Sequence, residues 1–283
     1  MEVHRSLQGN LYDLPTLSCG VSGVVFELPD SAVVKVPYGS DENREQLAIE
    51  SAIYNRLGSH PYITKFLYTY NGMIVLERLQ YPLRKRLWDL RDAGASPPTK
   101  DVLRWAIQIS QALQYAHSRY VLQVDIGPHN ILLDSFEDAK LSDFAGSSID
   151  GSAPSVLPSP HSEHPNMPST EPSIHSEIFA LGSTLYEVET TQQPYHDKSD
   201  EDIKELFRGG AFPDTSALVL GDVISRCWRV EYKDVGEAVN DIALIQSRYV
   251  NAVETQRGIV WGRHHTLILF GTVLLIAIYL RHN

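Results

Sequence analysis

Basic residues are scarce: 24 Lys and Arg stand against 35 Asp and Glu, a net charge of −11 over 283 residues. A general nucleic-acid binder is thereby excluded, because a phosphate backbone demands clustered Lys and Arg. A nucleotide, needing only one or two cations in a pocket, is not. Cysteine is nearly absent. Cys19 and Cys227 form no metal-ligand spacing and fit a reducing, cytosolic setting. The opening stretch, MEVHRSLQGNLYDL, has no uninterrupted apolar core, which argues against a cleaved secretory signal. No segment repeats at a fixed period. Residues 144–173 contain no Lys or Arg and are rich in Ser, Pro and His, so they read as a long loop.

What is present is ordinary for a folded chain: 43% hydrophobic and 21% charged residues, enough for a buried core. LSCGVSGVVFEL and SAVVKVPY are Val-rich strands broken at Pro29-Asp30, and NGMIVLERL at 71–79 is strand-like. Between them, DENREQLAIESAIYNRL at 41–57 spaces Leu47, Ile53 and Leu57 as on a helix. Beyond residue 98 the periodicity is helical, through DVLRWAIQISQALQYAHS, SEIFALGSTLYEVET and the segments after Asp197. One long apolar run closes the chain: TLILFGTVLLIAIYL, 266–280, flanked by Arg263 and Arg281. Fifteen helical residues span about 22 Å, short of a hydrocarbon core of roughly 30 Å. Interfacial His264 and His265 and snorkelling arginines narrow the gap. The run is apolar on every face, which favours a membrane anchor over a helix docked on the domain.

The residues that carry chemistry are Asp125, Asn130 and Asp143, in VLQVDIGPHNILLD and SDFAG. Three oxygen-bearing side chains on neighbouring loops can hold a divalent cation against a phosphate and accept a hydroxyl proton. These stretches resemble the H-R-D-L-x-x-x-N catalytic loop and D-F-G of protein kinases. Ser18-Cys19-Gly20-Val21-Ser22-Gly23-Val24-Val25 is similar to the family's G-x-G-x-x-G-x-V loop, with Ser for the first glycine. Lys35 in AVVKV, twelve residues past Gly23, resembles the V-A-I-K lysine. A lysine in an apolar strand needs a paired charge. Glu50 is the favoured partner, with Glu45 as competitor. MIVLERL resembles the hinge-bordering strand, with Leu76 as gatekeeper and Glu77 to Leu79 offering backbone groups to an adenine.

The resemblance covers residues 15–248 in family order. It implies an α+β, bilobal protein kinase-like fold. A small lobe at 15–80 follows an extension at 1–14, and a large lobe at 81–248 precedes a linker at 249–263 and the apolar anchor at 264–283. It implies ATP and Mg²⁺. Asp125 would take the substrate hydroxyl proton, Asn130 and Asp143 the metal, and Lys35 with Glu50 the phosphates. Gly20, Gly23, Val25, Glu77 and Leu79 would line the nucleotide site.

Several positions depart from the family. Gln123 and Val124 replace the His and Arg of H-R-D, Gly127 the lysine that reaches the γ-phosphate, and Ala145 the D-F-G glycine. Glu177 stands where an Asp anchors the catalytic loop, and the Arg that partners the A-P-E glutamate falls near Val235. Such erosion resembles fungal kinase-like proteins. The implied function is a Ser/Thr kinase acting on a protein, its domain facing the cytosol. The alternative is a membrane-tethered pseudokinase that binds ATP without turnover.

Overall fold

The computed structural model describes residues 5–255, which divide into two units between Ile242 and Ala243. In the first, strands β1 (Thr16–Cys19), β2 (Gly23–Leu28), β3 (Ala32–Pro37), β4 (Phe66–Tyr70) and β5 (Met73–Glu77) form an antiparallel sheet in the order β1-β2-β3-β5-β4. The β2–β3 turn uses Asp30 and Ser31 at φ of +61° and +58°, a left-handed conformation that short polar side chains tolerate.

Alternation then sorts the side chains. Phe26, Leu28, Val34, Met73 and Val75 share a core with Leu7 on one face. Lys35, directly opposite Val25 and Ile74, belongs to the other. Residues 5–14 are therefore not a loose extension. They form two short 3-10 turns, Arg5–Gln8 and Leu11–Asp13, because Leu7, Leu11 and Leu14 cover the outer face of the sheet.

Helix α1 (Asp41–Leu57) starts at Ser40, whose hydroxyl accepts from the Asn43 N–H at 3.2 Å. Asp41 and Glu42 in its first turn complement the helix dipole. It buries Gln46, Leu47, Glu50, Ile53, Tyr54 and Leu57, with Glu50 the one carboxylate on that face.

The helical part follows: short β6 (Tyr81–Pro82), α2 (Leu83–Asp92), α3 (Thr99–Ser118), β7 (Val121–Leu122), β8 (Ile131–Leu133), β9 (Ala139–Leu141), β10 (Ser148–Ile149), α4 (Ile174–Thr190), α5 (Asp200–Arg208) and α6 (Gly221–Trp228). Trp105, Ala106, Ile109 and Leu113 make α3 the buried centre, and α4 packs against both α3 and α6. The catalytic-loop residues lie between β7 and β8, and Asp143 just after β9. Sheet pairing of β6-β8-β9 and of β7 with β10 thus fixes the loop's two ends.

Residues 235–255 are helical. The compact unit closes at Ile242 rather than at 248, since Ile242 is the last buried apolar side chain before exposed Leu244 and Val250. Residues 249–255, expected as linker, continue a helix. Among the described residues no helix is long and apolar enough to cross a membrane. The run at 266–280 lies outside them.

Candidate active site

Lys35 Nζ stands 2.8 Å from Glu50 Oε2 and 2.8 Å from Asp143 Oδ1. Sheet alternation sends the lysine inward, and α1 presents Glu50 on its buried face, while Glu45 is exposed. Burial opposes the ammonium, but Glu50 and Asp143 outweigh it and hold its pKa above the usual lysine range. Burial likewise raises the Glu50 carboxyl in spite of Lys35. At Asp143 desolvation also pushes upward, yet the lysine prevails and the carboxyl is held below its ordinary value. One cation between two carboxylates leaves the cluster one charge negative, suited to a further cation.

Asp143 sits at φ of +54°, which turns the next residue inward. Phe144 is fully buried, edge-on to Tyr54 at 5.3 Å, and its N–H meets Glu50 Oε1 at 3.3 Å. Ala145, in the place of the D-F-G glycine, carries no left-handed strain: Asp143, not Ala145, takes the positive φ. Gln123, in the place of the H-R-D histidine, is buried and donates from Nε2 to the carbonyls of Ser142 (3.3 Å) and Asp143 (3.0 Å). An amide here does structural work, holding the two loops together.

In the catalytic loop, Asp125 Oδ2 lies 2.9 Å from His129 Nε2 and 3.2 Å from Asn130 Nδ2. Asn130 Nδ2 also donates to the Asp125 carbonyl at 2.9 Å. That commits the nitrogen side of the amide and leaves Oδ1 for a cation. His129 was not read from the sequence as part of the site. Its signal was a His four residues after an Asp and two after a glycine where the family carries a side chain.

The loop's anchor is Glu177. Its Oε1 accepts from the Val124 N–H at 2.6 Å and its Oε2 meets His117 Nε2 at 2.5 Å. Val124 is a β-branched residue held at φ of +71°, which costs about 1–3 kcal/mol and persists because the surroundings enforce it. The longer carboxylate arm is therefore accommodated, and both its oxygens are used. Glu177→Asp, although it restores the family residue, is expected to leave one of these buried partners unpaired. The loss is about 1–3 kcal/mol and a Tm drop of roughly 2–10 °C, read by thermal denaturation; an unchanged Tm would contradict it.

On the nucleotide side, Val25 and Lys35 are cross-strand neighbours. The Gly20 N–H donates to the Gly23 carbonyl at 2.9 Å, so the loop closes on itself. Gly23 has a packing reason to be glycine: a Cβ would lie 2.1 Å from the Val36 carbonyl oxygen, whereas one on Gly20 meets nothing closer than 3.9 Å. Gly23→Ala is expected to destabilise the protein by about 1–3 kcal/mol, as overpacking does. Gly20→Ala should stay within roughly 0.5 kcal/mol; equal Tm values for the two would refute the distinction.

Glu77 spends its carboxylate on Lys140 (2.8 and 2.9 Å) and on the Lys65 N–H (2.7 Å). It ties the hinge to β9 by a contact that sequence spacing does not show. Its own N–H goes to the Lys65 carbonyl. Leu79 is buried, and neither its N–H nor its carbonyl enters a hydrogen bond among the described residues. Leu76 is buried beside it.

The segment 144–173 is ordered without an internal cation. β10 pairs with β7, and Arg56 on α1 forks onto Asp150 at 2.9 and 2.8 Å. His161 Nδ1 meets the Pro194 carbonyl at 2.7 Å. Where the family has the H-R-D arginine, buried Val124 lines a pocket with His164, Met167 and Glu177. Val235 is buried, and Glu171, which with Pro172 is one of the two places where the A-P-E segment could fall, is exposed.

The fit of Mg²⁺ rests on donor chemistry: Asp143 and Asn130 offer hard oxygens from two adjoining loops. Among the described residues no three acidic, His or Cys side chains cluster as a metal cage. A metal that takes one or two protein ligands, with the remainder from phosphate and water, suits such a pair.

A five-stranded sheet with one helix, a helical body, and a buried Lys–Glu pair joined to Asp143 near an Asp–Asn loop define a protein of the kinase class. A family model described as the protein kinase domain matches residues 30–219, more than half of the chain. The chain belongs to that family.

Relatives agree at low identity. A probable serine/threonine-protein kinase of Clostridium acetobutylicum is 24% identical over 189 residues, 61% of this chain and 29% of that protein. A cell cycle serine/threonine-protein kinase of Saccharomyces cerevisiae is 26% identical over 231 residues, 72% and 31%. A serine/threonine/tyrosine-protein kinase of Arabidopsis thaliana is 23% identical over 230 residues, 76% and 58%. The chain spans under a third of the length of the first two.

Proposed function

We propose that this protein transfers the γ-phosphoryl group of ATP to serine or threonine hydroxyls of a protein substrate. The observation that carries the reading is Lys35 held between Glu50 and Asp143, at 2.8 Å from each, with Phe144 buried behind them. This is an arrangement already assembled for a triphosphate. The relatives' names, serine/threonine kinases, support the substrate class.

Leu79 would offer its free backbone groups to the adenine, and Lys35 would lie against the phosphates. Mg²⁺, when bound by Asp143 and Asn130, would neutralise charge on the phosphate oxygens. Asp125 orients the incoming hydroxyl and accepts its proton as that oxygen bonds to the γ-phosphorus. The bond to the bridging oxygen breaks, and ADP carries the electron pair away. His129 and Asn130 hold one oxygen of Asp125, which directs the other to the hydroxyl.

The test is Mg²⁺-dependent transfer from labelled ATP by the purified protein, with Asp125→Asn as control. A non-catalytic ATP-binding scaffold is the reading that Gly127 and Val124 favour. Nucleotide-dependent stabilisation without transfer would select it.

We propose that the apolar run at 266–280 anchors the protein to a membrane, with the kinase domain on the cytosolic side. Full-length protein should pellet with membranes through salt and alkaline washes, and residues 1–258 should not. Full-length protein left in the supernatant would defeat the anchor.

A further inference from the structure

We propose that Gly127 and His129 form one coupled unit in which His129 positions the carboxylate of Asp125, and that residue 127 is glycine to make room for it. The proposal rests on the phosphotransferase reading for its catalytic consequence, but its geometry stands apart from that reading. His129 Nε2 lies 2.9 Å from Asp125 Oδ2, and the two side chains are 31% and 28% exposed. A Cβ built on Gly127 would stand 2.6 Å from His129 Cε1 and 2.7 Å from Nδ1. Real side chains do not approach so closely, so the imidazole fills the room any residue at 127 would need.

The ring has little freedom to withdraw. The Asn130 N–H closes a turn onto the Gly127 carbonyl at 3.0 Å, and the Arg84 N–H bonds the Pro128 carbonyl at 2.9 Å. Together these bring residue 129 back over 127. Behind it, the Arg84 guanidinium is fixed by two bonds of 2.8 Å to Glu187, and its Nη2 would be 3.5 Å from the same Cβ.

His129 Nδ1 is buried with no hydrogen-bond partner. A ring that leaves one nitrogen unsatisfied is kept in place by what its other nitrogen binds. With Asp125 ionised, Nε2 carries the proton and donates. Oδ2 is then held by His129 and Asn130, and among the described residues Oδ1 enters no hydrogen bond. A side chain at 127 and the imidazole of His129 therefore compete for one space. Restoring lysine alone should harm the site.

His129→Ala should lower kcat by about 10–100-fold, the cost of a misplaced reacting group, with the KM for ATP within about twofold. His129→Gln, whose amide can donate in place of Nε2, should recover most of the loss. Gly127→Lys should be about as damaging as His129→Ala. Combined with His129→Ala it should cost little more, a non-additive cycle. Wild-type kcat in His129→Ala, or additive losses in the pair, would overturn the proposal.

Nitrogen-15 spectra of histidine-labelled protein test the pair without catalysis. The Nε2–H tautomer of His129 should be seen in the wild type and disturbed by Gly127→Lys and by Asp125→Ala, which removes the acceptor oxygen. Absence of that tautomer, or its indifference to both changes, would also overturn it. If the wild type transfers no phosphate, the functional reading fails while these spectra still decide the unit.

Discussion

Lys35→Met is expected to abolish phosphoryl transfer and to destabilise the protein by about 3–5 kcal/mol, the cost of stripping one partner from a buried ion pair. Glu50 is fully buried, so the lost lysine leaves a carboxylate with no cation and no water. Losing the lysine raises its pKa further than burial already does, and the group takes up a proton. The direction with pH follows. A raised carboxyl pKa favours folding at low pH and loses that contribution as pH rises through the folded value. Lys35→Met should therefore gain stability on acidification through the folded pKa of Glu50, and the gain should be complete below the ordinary 4.5.

In the wild type the same cluster behaves differently at its two ends. Asp143, lowered from 3.8, contributes above that value and loses its contribution as pH falls through its folded pKa. Its side chain is 47% exposed, so solvent screening makes that share small. Lys35 contributes fully below 10.5 and loses its share only as pH rises through its folded value. Denaturant unfolding across pH reads all of this. Lys35→Met with Glu50→Leu should recover most of the stability and none of the transfer, because two matched apolar groups replace the pair. A single Lys35→Met protein as stable as the wild type would show that the buried pair contributes nothing.

Asp125→Asn is expected to lower transfer by about 10²–10⁴-fold, the usual contribution of a positioned base. The fold should be spared. An asparagine can still present one oxygen to His129 Nε2 and Asn130 Nδ2, the two groups that hold Asp125 Oδ2 at 2.9 and 3.2 Å. ATP should stabilise the variant as it does the wild type, by about 2.7 kcal/mol at a hundredfold excess over Kd. Stabilisation and transfer then separate: the first survives and the second does not. Transfer at the wild-type rate would remove Asp125 from the role of base.

Local order was legible because it is written in spacing. Leu47, Ile53 and Leu57 mark the buried stripe of α1, and Glu50 falls inside it by the same period that buries it. The Val-rich runs give β2 and β3, and alternation alone points Lys35 away from Val34. The unit's end at Ile242 was not legible. Apolar residues continue at helical spacing past it, and only the structure shows that Leu244 and Val250 are exposed.

The site divides along the same line. Residues that act through a short motif, Asp125, Asn130 and Asp143, could be found by their order along the chain. Residues that replace a family side chain with a different chemistry could not be judged there. Gln123 looked like a loss, yet it binds two carbonyls some twenty residues away. Gly127 looked like a missing charge, yet its space is taken by His129. Glu177 looked uncertain in length, yet both oxygens find partners at 2.6 and 2.5 Å. Sequence by itself determined the main small-lobe strands, α1, the helices beyond residue 98 and the pairing of Lys35 with Glu50, because periodicity and motif order are local properties. Only the tertiary structure decided what each substituted side chain touches. That depends on distances between segments far apart in the chain, which no spacing along it records.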